Sequence, residues 1–198
     1  MANLIIKPTS GGSLILQDEG GDAALTVGTT GNISLAGTVT AGTIENAPAG
    51  VTTKVFGFSA YLSSDTTINN GTWTEVGSNW TERWDSDGKF NVSNGRFTPT
   101  VQGIYLCGYS TEIDEIDDGE AIIGHLRKNG VSSSGDTMYG YRGIYSPKTD
   151  GTTGPTASSL IQLDTDDYVS LWVYHNSGGN DAINANKTEF WAVYQGQV

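Results

Sequence analysis

Hydrophobic and polar residues alternate in short runs along most of this chain, and a period of two is the pattern of a half-buried β-strand. The clearest run places Tyr105, Cys107 and Tyr109 on one face of a strand. Asn94-Gly95 lies shortly before it, and an Asn-Gly pair accepts positive φ at low cost, as tight hairpins require. The sequence therefore predicts an all-β protein of short strands and tight turns.

About ten strands are predicted from this alternation. Apolar and aromatic residues mark them, and clusters of Gly, Asn, Asp, Ser and Thr separate them. The 27 Gly residues and the absence of long runs of Ala, Leu, Glu and Lys favour strands and turns over helices. The main predicted strands lie near residues 55–61, 104–109, 122–126, 138–145, 158–163, 168–174 and 189–194.

The first fifty residues differ in composition from the rest of the chain, because they contain no Trp, Tyr or Phe. Short apolar runs recur at Leu14, Leu25 and Leu35, with spacings of 11 and 10 residues, and Gly-rich turns separate them. A segment with so few apolar residues buries too little surface to fold alone. Three copies wound together would share a core, as in repetitive β-fibres. We predict an extended β-fibre arm at residues 1–50 and a head at 51–198; the alternative is a disordered Gly/Thr-rich tail.

The spacing of aromatic residues in the head resembles that of a known family. An acidic residue (Asp85) is followed five positions later by an aromatic (Phe90) and seven positions after that by a Phe (Phe97). A Gly (Gly103) comes six positions later and precedes alternating aromatics (Tyr105 and Tyr109). This pattern resembles the globular head of complement component one-q, in the tumour-necrosis-factor-like class. Asn79 and Cys107 depart from it, each standing where the family has an aromatic. The resemblance implies a jelly-roll β-sandwich that forms a homotrimer.

The arm has a resemblance of its own. The segment at residues 31–44, GNISLAGTVTAGTI, is similar to segments of structural proteins from tailed phages, particularly cyanophage-like ones. The resemblance implies a virion fibre protein whose residues 1–50 attach to other virion proteins.

Charge and processing signals narrow the function classes. Ten Lys and Arg against 22 Asp and Glu give a formal charge of −12, which disfavours nucleic acid and anionic lipid as partners. The single cysteine excludes an intramolecular disulfide, and no apolar run approaches the roughly 20 residues of a membrane span. The N-terminal text lacks the apolar core of a signal peptide. We therefore expect synthesis in the host cytoplasm, no membrane insertion, and localisation in the virion.

Catalytic motifs are absent from the sequence. It contains no Walker loop, GxSxG, HExxH or CxxC, and neither His125 nor His175 stands in a recognisable triad or ligand spacing. A glycan-cleaving enzyme would need a carboxylate pair at working separation, and nothing marks one. We predict that the protein is not an enzyme and has no cofactor, with calcium as the one exception considered next.

The densest acidic run supplies a candidate calcium site. Asp114, Asp117, Asp118 and Glu120, with Glu115 beside them, carry the hard oxygen ligands that calcium prefers. The spacing of an EF-hand is absent, and the alternative is a solvated acidic loop.

Aromatic residues of two predicted strands supply a candidate glycan platform. It consists of Tyr139, Tyr141, Trp172 and Tyr174, with Tyr145 as a further member. The alternative is that these rings belong to the core or to a subunit interface, since large rings dominate burial and contacts between subunits.

These expectations combine into one functional prediction. The chain is expected to be a phage virion structural protein, a homotrimeric short fibre or surface projection, whose arm anchors to the particle and whose head faces outward to adhere to a host glycan or protein. Two alternatives remain: a capsid or tail decoration protein that only stabilises the particle, and a free lectin-like binding module.

Overall fold

The computed structural model describes residues 14–17, 20, 23–27, 33–35, 55–130, 138–146 and 151–197 of the 198-residue chain. These residues form eighteen strands and no helix, so the prediction of an all-β protein is confirmed. The chain divides into two compact units, Met1–Thr52 and Thr53–Val198.

The described part of the N-terminal unit is a three-stranded antiparallel sheet. Its strands are β1 (Leu14–Gln17), β2 (Ala23–Val27) and β3 (Ile33–Leu35). The register pairs Leu16 with Leu25, and Leu25 with Leu35, so the apolar runs of the sequence align across the strands. The sheet forms within one chain, and the prediction of a β-fibre arm that shares its core with sister chains stays a prediction. Leu16 is nevertheless half exposed, which leaves apolar surface that this sheet does not cover.

Eight long strands form the body of the C-terminal unit. They are β4 (Gly57–Leu62), β7 (Trp80–Asp85), β10 (Gly103–Ser110), β12 (Ala121–Lys128), β13 (Met138–Tyr145), β15 (Thr156–Leu163), β16 (Val169–His175) and β18 (Glu189–Gly196). Seven strands of two to four residues join them: β5 (Thr66–Ile68), β6 (Thr74–Glu75), β8 (Phe90–Asn91), β9 (Arg96–Phe97), β11 (Ile113–Ile116), β14 (Gly151–Thr153) and β17 (Asp181–Ile183). The total exceeds the ten predicted because segments this short show no alternation of their own.

Two sheets form the sandwich. Sheet I has the order β15-β10-β18-β4-β7, and sheet II has the order β13-β12-β16-β9-β8, with β6 also paired to β16. A smaller sheet, β14-β11-β17-β5, accompanies them. All the strand pairs are antiparallel, so neighbouring strands can present alternate residues to one core and the others to the outside.

The core consists of the inward residues of the sheets. Tyr105, Cys107 and Tyr109 are fully buried, as their alternation predicts, and burial raises the pKa of the Cys107 thiol, which keeps it protonated and unreactive. Phe58 lies at the centre of an aromatic cluster, with its ring centroid 4.3 Å from that of Phe90 in a stacked arrangement. Its other ring neighbours are Phe97 at 4.8 Å and Phe190 at 4.9 Å.

The predicted Asn94-Gly95 turn joins β8 to β9. Gly95 has a φ of 66°, which glycine adopts without strain. A Cβ at this position would also lie 2.2 Å from the Val76 carbonyl oxygen, which accepts a hydrogen bond from Trp80 Nε1 at 2.8 Å. The glycine is thus required by both the backbone conformation and the packing.

Candidate functional site

A cluster of aromatic side chains covers the outward face of sheet II. In β16 the apolar residues Leu171 and Val173 face the core, so Trp172 and Tyr174 face outward. Trp73, just before β6, and Tyr141 of β13 join them, and these four residues are called the aromatic patch below. The ring centroid of Trp73 lies 5.5 Å from that of Tyr174 and 6.3 Å from that of Tyr141.

Two basic side chains lie beneath the aromatic patch. His125 is fully buried and Arg127 is 4% exposed, although both belong to the outward face of β12. Arg127 Nε donates a hydrogen bond to His125 Nε2 at 2.7 Å. The guanidinium carbon of Arg127 is 4.0 Å from the ring centroid of Trp172, a cation–π distance, and the ring of His125 is 4.1 Å from that of Trp73. The rings therefore shield a positive charge from water.

The hydrogen bond from Arg127 fixes the protonation of His125. Because Nε2 accepts, the proton of the neutral ring resides on Nδ1, which is buried without a hydrogen-bond partner among the described residues. Burial, and then the charge of Arg127, lower the pKa of His125 from 6.5 to about 4. The imidazole is therefore neutral at physiological pH.

We expect His125 to titrate near pH 4 in the folded protein. Between pH 6.5 and 4, His125 is protonated in the unfolded chain and neutral in the folded chain. The folded state therefore loses stability as the pH falls through that window. Side-chain NMR of the imidazole nitrogens checks this, with a His125→Phe variant to assign the signal. A pKa at the ordinary histidine value would contradict it.

The predicted platform residue Tyr139 does not belong to the aromatic patch. Gly140 has a φ of 60°, and the pairing of β12 with β13 shifts between Gly124 and Leu126, which is a β-bulge. The bulge breaks the alternation of β13, so Tyr139 packs against the core while Tyr141 is 54% exposed. Tyr145 is exposed further along the same strand.

A cleft of about 570 Å³ opens on the other part of sheet II. Arg96 lies in its wall: its guanidinium donates two hydrogen bonds of 2.9 Å to the carboxylate of Glu75 and stacks 4.3 Å from the ring centroid of Tyr168. None of the nine described residues that line the cleft carries a carboxylate, which is unusual in so acidic a chain. They are Gly88, Lys89, Phe90, Asn91, Val92, Asn94, Arg96, Thr98 and Tyr168.

Sheet I carries an apolar ridge on its outward face. Leu106 of β10 pairs with Leu160 of β15 on one side and with Val193 of β18 on the other. Leu160 is 59% exposed and Leu106 is 36% exposed. Trp191, also in β18, lies over Gly108, where a Cβ would come within 2.3 Å of the indole ring. Leu106, Leu160, Trp191 and Val193 are called the apolar ridge below.

Comparison with protein families finds no matching family model. Among curated proteins, the uncharacterized protein YqcC of Bacillus subtilis (strain 168) is 29% identical over 100 residues, which is 50% of this chain. The match spans 27% of YqcC, so the chain corresponds to about a quarter of that protein's length.

Solved structures match a larger share of the chain. Eiger TNF from S. frugiperda has a TM-score of 0.55, with 12% identity over 74% of this chain and 96% of that chain. Murine APRIL at pH 5.0 scores 0.54, with 12% identity over 72% and 100% of the two chains. The globular domain of zebrafish complement 1qA scores 0.52, with 12% identity over 73% and 99%. The fold is a TNF/C1q-like jelly roll. At this level of identity the likeness concerns the fold alone.

The predicted calcium ligands lie in β11 and in the segment between β11 and β12. Asp117 and Asp118 are exposed in the turn before β12, where the Glu120 carboxylate accepts a hydrogen bond of 2.8 Å from the Asp117 backbone N–H. The side chains of Asp114 and Glu115 lie outside the described residues. Within the described part of the chain, no group of three His, Cys, Asp or Glu side chains is arranged to hold a metal ion. Calcium therefore stays a prediction.

We expect calcium to bind this loop and raise the melting temperature of the protein, while magnesium at the same concentration does not. The combined Asp117→Asn and Asp118→Asn variant removes two hard ligands and should abolish the shift. Calorimetric scans with and without each ion check this, and identical scans for the unaltered protein would contradict it.

Sequence reasoning missed Trp73, His125, Arg127 and the cleft. Trp73 precedes a strand of only two residues, and no alternation marks its direction. Lys89, Arg96 and Tyr168 meet in the cleft through the pairing of β9 with β16, which joins segments some seventy residues apart. In the part of the chain that the structure describes, there is no helix of the length and apolar character that crossing a membrane demands.

Proposed function

We propose that this chain is a non-enzymatic structural protein of a phage particle, a homotrimeric short fibre or surface projection whose head adheres to the host surface. The proposal has three parts, which are trimerisation, attachment to the particle and adhesion. Different surfaces of the molecule support each part.

The apolar ridge is the observation that carries the trimer. Leu106, Leu160 and Val193 form one continuous row across three neighbouring strands, and a lone chain leaves much of this row in water. Covering such surface stabilises an assembly by about 25 cal/mol per Å² of apolar area. Three copies whose sheets I face a common axis bury the ridge, in agreement with the resemblance to trimeric heads.

Attachment to the particle is assigned to residues 1–50. The half-exposed Ile15 and Leu16 leave apolar surface on the N-terminal sheet, which suits contact with sister chains or with other virion proteins. The similarity of residues 31–44 to phage structural proteins supports the same assignment.

Adhesion is assigned to sheet II. The apolar ridge and the aromatic patch lie on opposite outward faces of the sandwich, so a trimer that covers sheet I leaves the patch and the cleft accessible. Three copies of one weak site on a single projection raise the effective affinity for a repeating cell surface. Synthesis in the host cytoplasm and localisation in the virion follow from this function.

Labelling intact particles with antibodies against the head tests the proposal. We expect gold label at regular projections, and a mass in solution of three times the 20.9 kDa chain. Particles without the protein should lose adsorption to host cells. Unlabelled particles would overturn the virion assignment in favour of a free binding module, and normal adsorption with lowered particle stability would indicate a decoration protein.

A further inference from the structure

We propose that the outward face of sheet II binds an extended, carboxylate-bearing polysaccharide that runs along β16 from the cleft to the aromatic patch. The inference rests on the adhesive role proposed above and names the chemistry of the ligand. It joins two features, the cleft and the patch, into one binding surface.

The geometry of β16 makes the surface continuous. Its outward residues are Ser170, Trp172 and Tyr174, and Tyr168 stands just before the strand in the same alternation; strand rise places Tyr168 and Tyr174 about 20 Å apart. Ser170, in the middle, is fully buried; Arg96 and Arg127 are its partners on the two neighbouring strands, and its hydroxyl accepts a hydrogen bond of 3.0 Å from Trp172 Nε1. The path therefore suits several sugar rings in a row.

The charge of the surface selects an anionic ligand. The chain as a whole carries −12, yet the cleft contains Lys89 and Arg96 and no carboxylate among its described lining residues. Glu75 is held by Arg96 in a bidentate pair, which leaves the exposed ammonium of Lys89 at the mouth of the cleft. A polyanion is repelled by most of this protein and attracted here, so its charge directs it to this face.

Hydrogen-bond donors in the cleft suit carboxylate and hydroxyl groups. The side-chain oxygen of Asn94 accepts the backbone N–H of Arg96, and that of Asn91 accepts the backbone N–H of Ser93. Both amides therefore turn their acceptor atoms toward their own loop and retain N–H groups for a ligand. The cleft also falls within the roughly 300–1,000 Å³ of small-ligand sites.

The aromatic patch selects sugar rings over other polyanions. Trp73, Tyr141 and Tyr174 offer ring faces to the apolar faces of pyranose rings, while Arg127 stacked on Trp172 adds positive potential beneath them. A polymer of phosphate and alcohol units has few such faces. Ring surfaces, basic groups and a path of this length together point to a polymer of uronic or sialic acids.

Calorimetric titration of the full chain with polygalacturonate tests the inference, and methyl-esterified polygalacturonate is the matched ligand that keeps the backbone and removes the charge. We expect binding that weakens at least tenfold on esterification and falls with added salt. Polysialic acid, dextran sulfate and single-stranded DNA serve as comparison polyanions. Equal binding of the esterified polymer, or stronger binding of the sulfated polymer or the DNA, would overturn the choice of a carboxylated sugar.

Two variants locate the site. Tyr141→Ala should weaken binding about tenfold because it removes an exposed ring, and Lys89→Gln should weaken it about fivefold and reduce its salt dependence. Lys187→Gln, an exposed lysine outside this face, is the control and should bind as the unaltered protein does. If both variants bind like the control, the inference is wrong. Labelled particles with no polysaccharide binding would refute only the ligand, whereas polysaccharide binding with unlabelled particles would refute only the virion role.

Discussion

The Leu106→Asp/Leu160→Asp variant is expected to exist in solution as a single 20.9 kDa chain, in place of the trimer proposed for the unaltered protein. These two leucines are direct cross-strand partners at the centre of the apolar ridge. In a trimer each would lie in a desolvated interface, where a carboxylate without a partner costs several kcal/mol per copy. The cost recurs at every interface of the assembly, so dissociation should be complete at micromolar concentrations.

Light scattering coupled to gel filtration measures this outcome. Val92→Asp provides a matched control, because it places a carboxylate on another exposed apolar residue, outside sheet I, and should leave the trimer intact. Circular dichroism confirms that the variants remain folded. A double variant that keeps the mass of the unaltered protein would show that the ridge is not the interface, and an unaltered protein that is already a single chain would refute the trimer itself.

The Phe58→Ala variant is expected to lose about 3–5 kcal/mol of the free energy of unfolding. Phe58 is fully buried, and its ring contacts those of Phe90, Phe97 and Phe190, which come from three other strands. Truncation leaves a cavity between the two sheets that the other rings cannot fill without leaving their rotamers. Since domains are stable by only about 5–15 kcal/mol, the loss is a large fraction of the total.

Urea denaturation followed by tryptophan fluorescence measures this loss. All variants are compared at one protein concentration, because the stability of an oligomer depends on it. Val92→Ala, at an exposed position, should change the free energy of unfolding by less than about 0.5 kcal/mol. A Phe58→Ala variant as stable as this control would mean that the aromatic cluster contributes little.

Alternation made the sandwich predictable where strands are long and regular. Tyr105, Cys107 and Tyr109 face the core because nothing interrupts β10, and the resemblance in aromatic spacing led to the jelly roll that the solved structures confirm. The same rule failed in β13, where it placed Tyr139 and Tyr141 on one face. A bulge depends on how two strands pair, and the sequence of one strand does not contain that information.

Of the binding surface proposed on sheet II, only the residues that lie in the long strand β16 could be predicted from the sequence. Trp172 and Tyr174 were found because β16 alternates cleanly, whereas the cleft depends on contacts between Lys89, Arg96 and Tyr168 that only the sheet order creates. The sequence places His125 in no recognisable catalytic triad. Its burial beneath Trp73 was not foreseen, because an outward strand position ordinarily meets water.

The single extra residue at Gly140 places Tyr139 and Tyr141 on opposite faces of β13, although they are two positions apart. Deleting Gly140 would leave Tyr139 opposite Leu126 and Tyr141 opposite His125, so the strand would regain one-to-one pairing and both rings would keep their faces. A deletion elsewhere in β13, with the bulge kept, would instead shift the register by one residue and exchange the core and exposed faces on one side of it. Loss of Gly140 is therefore a change of length that β13 accommodates without moving an aromatic ring between the core and the exposed face.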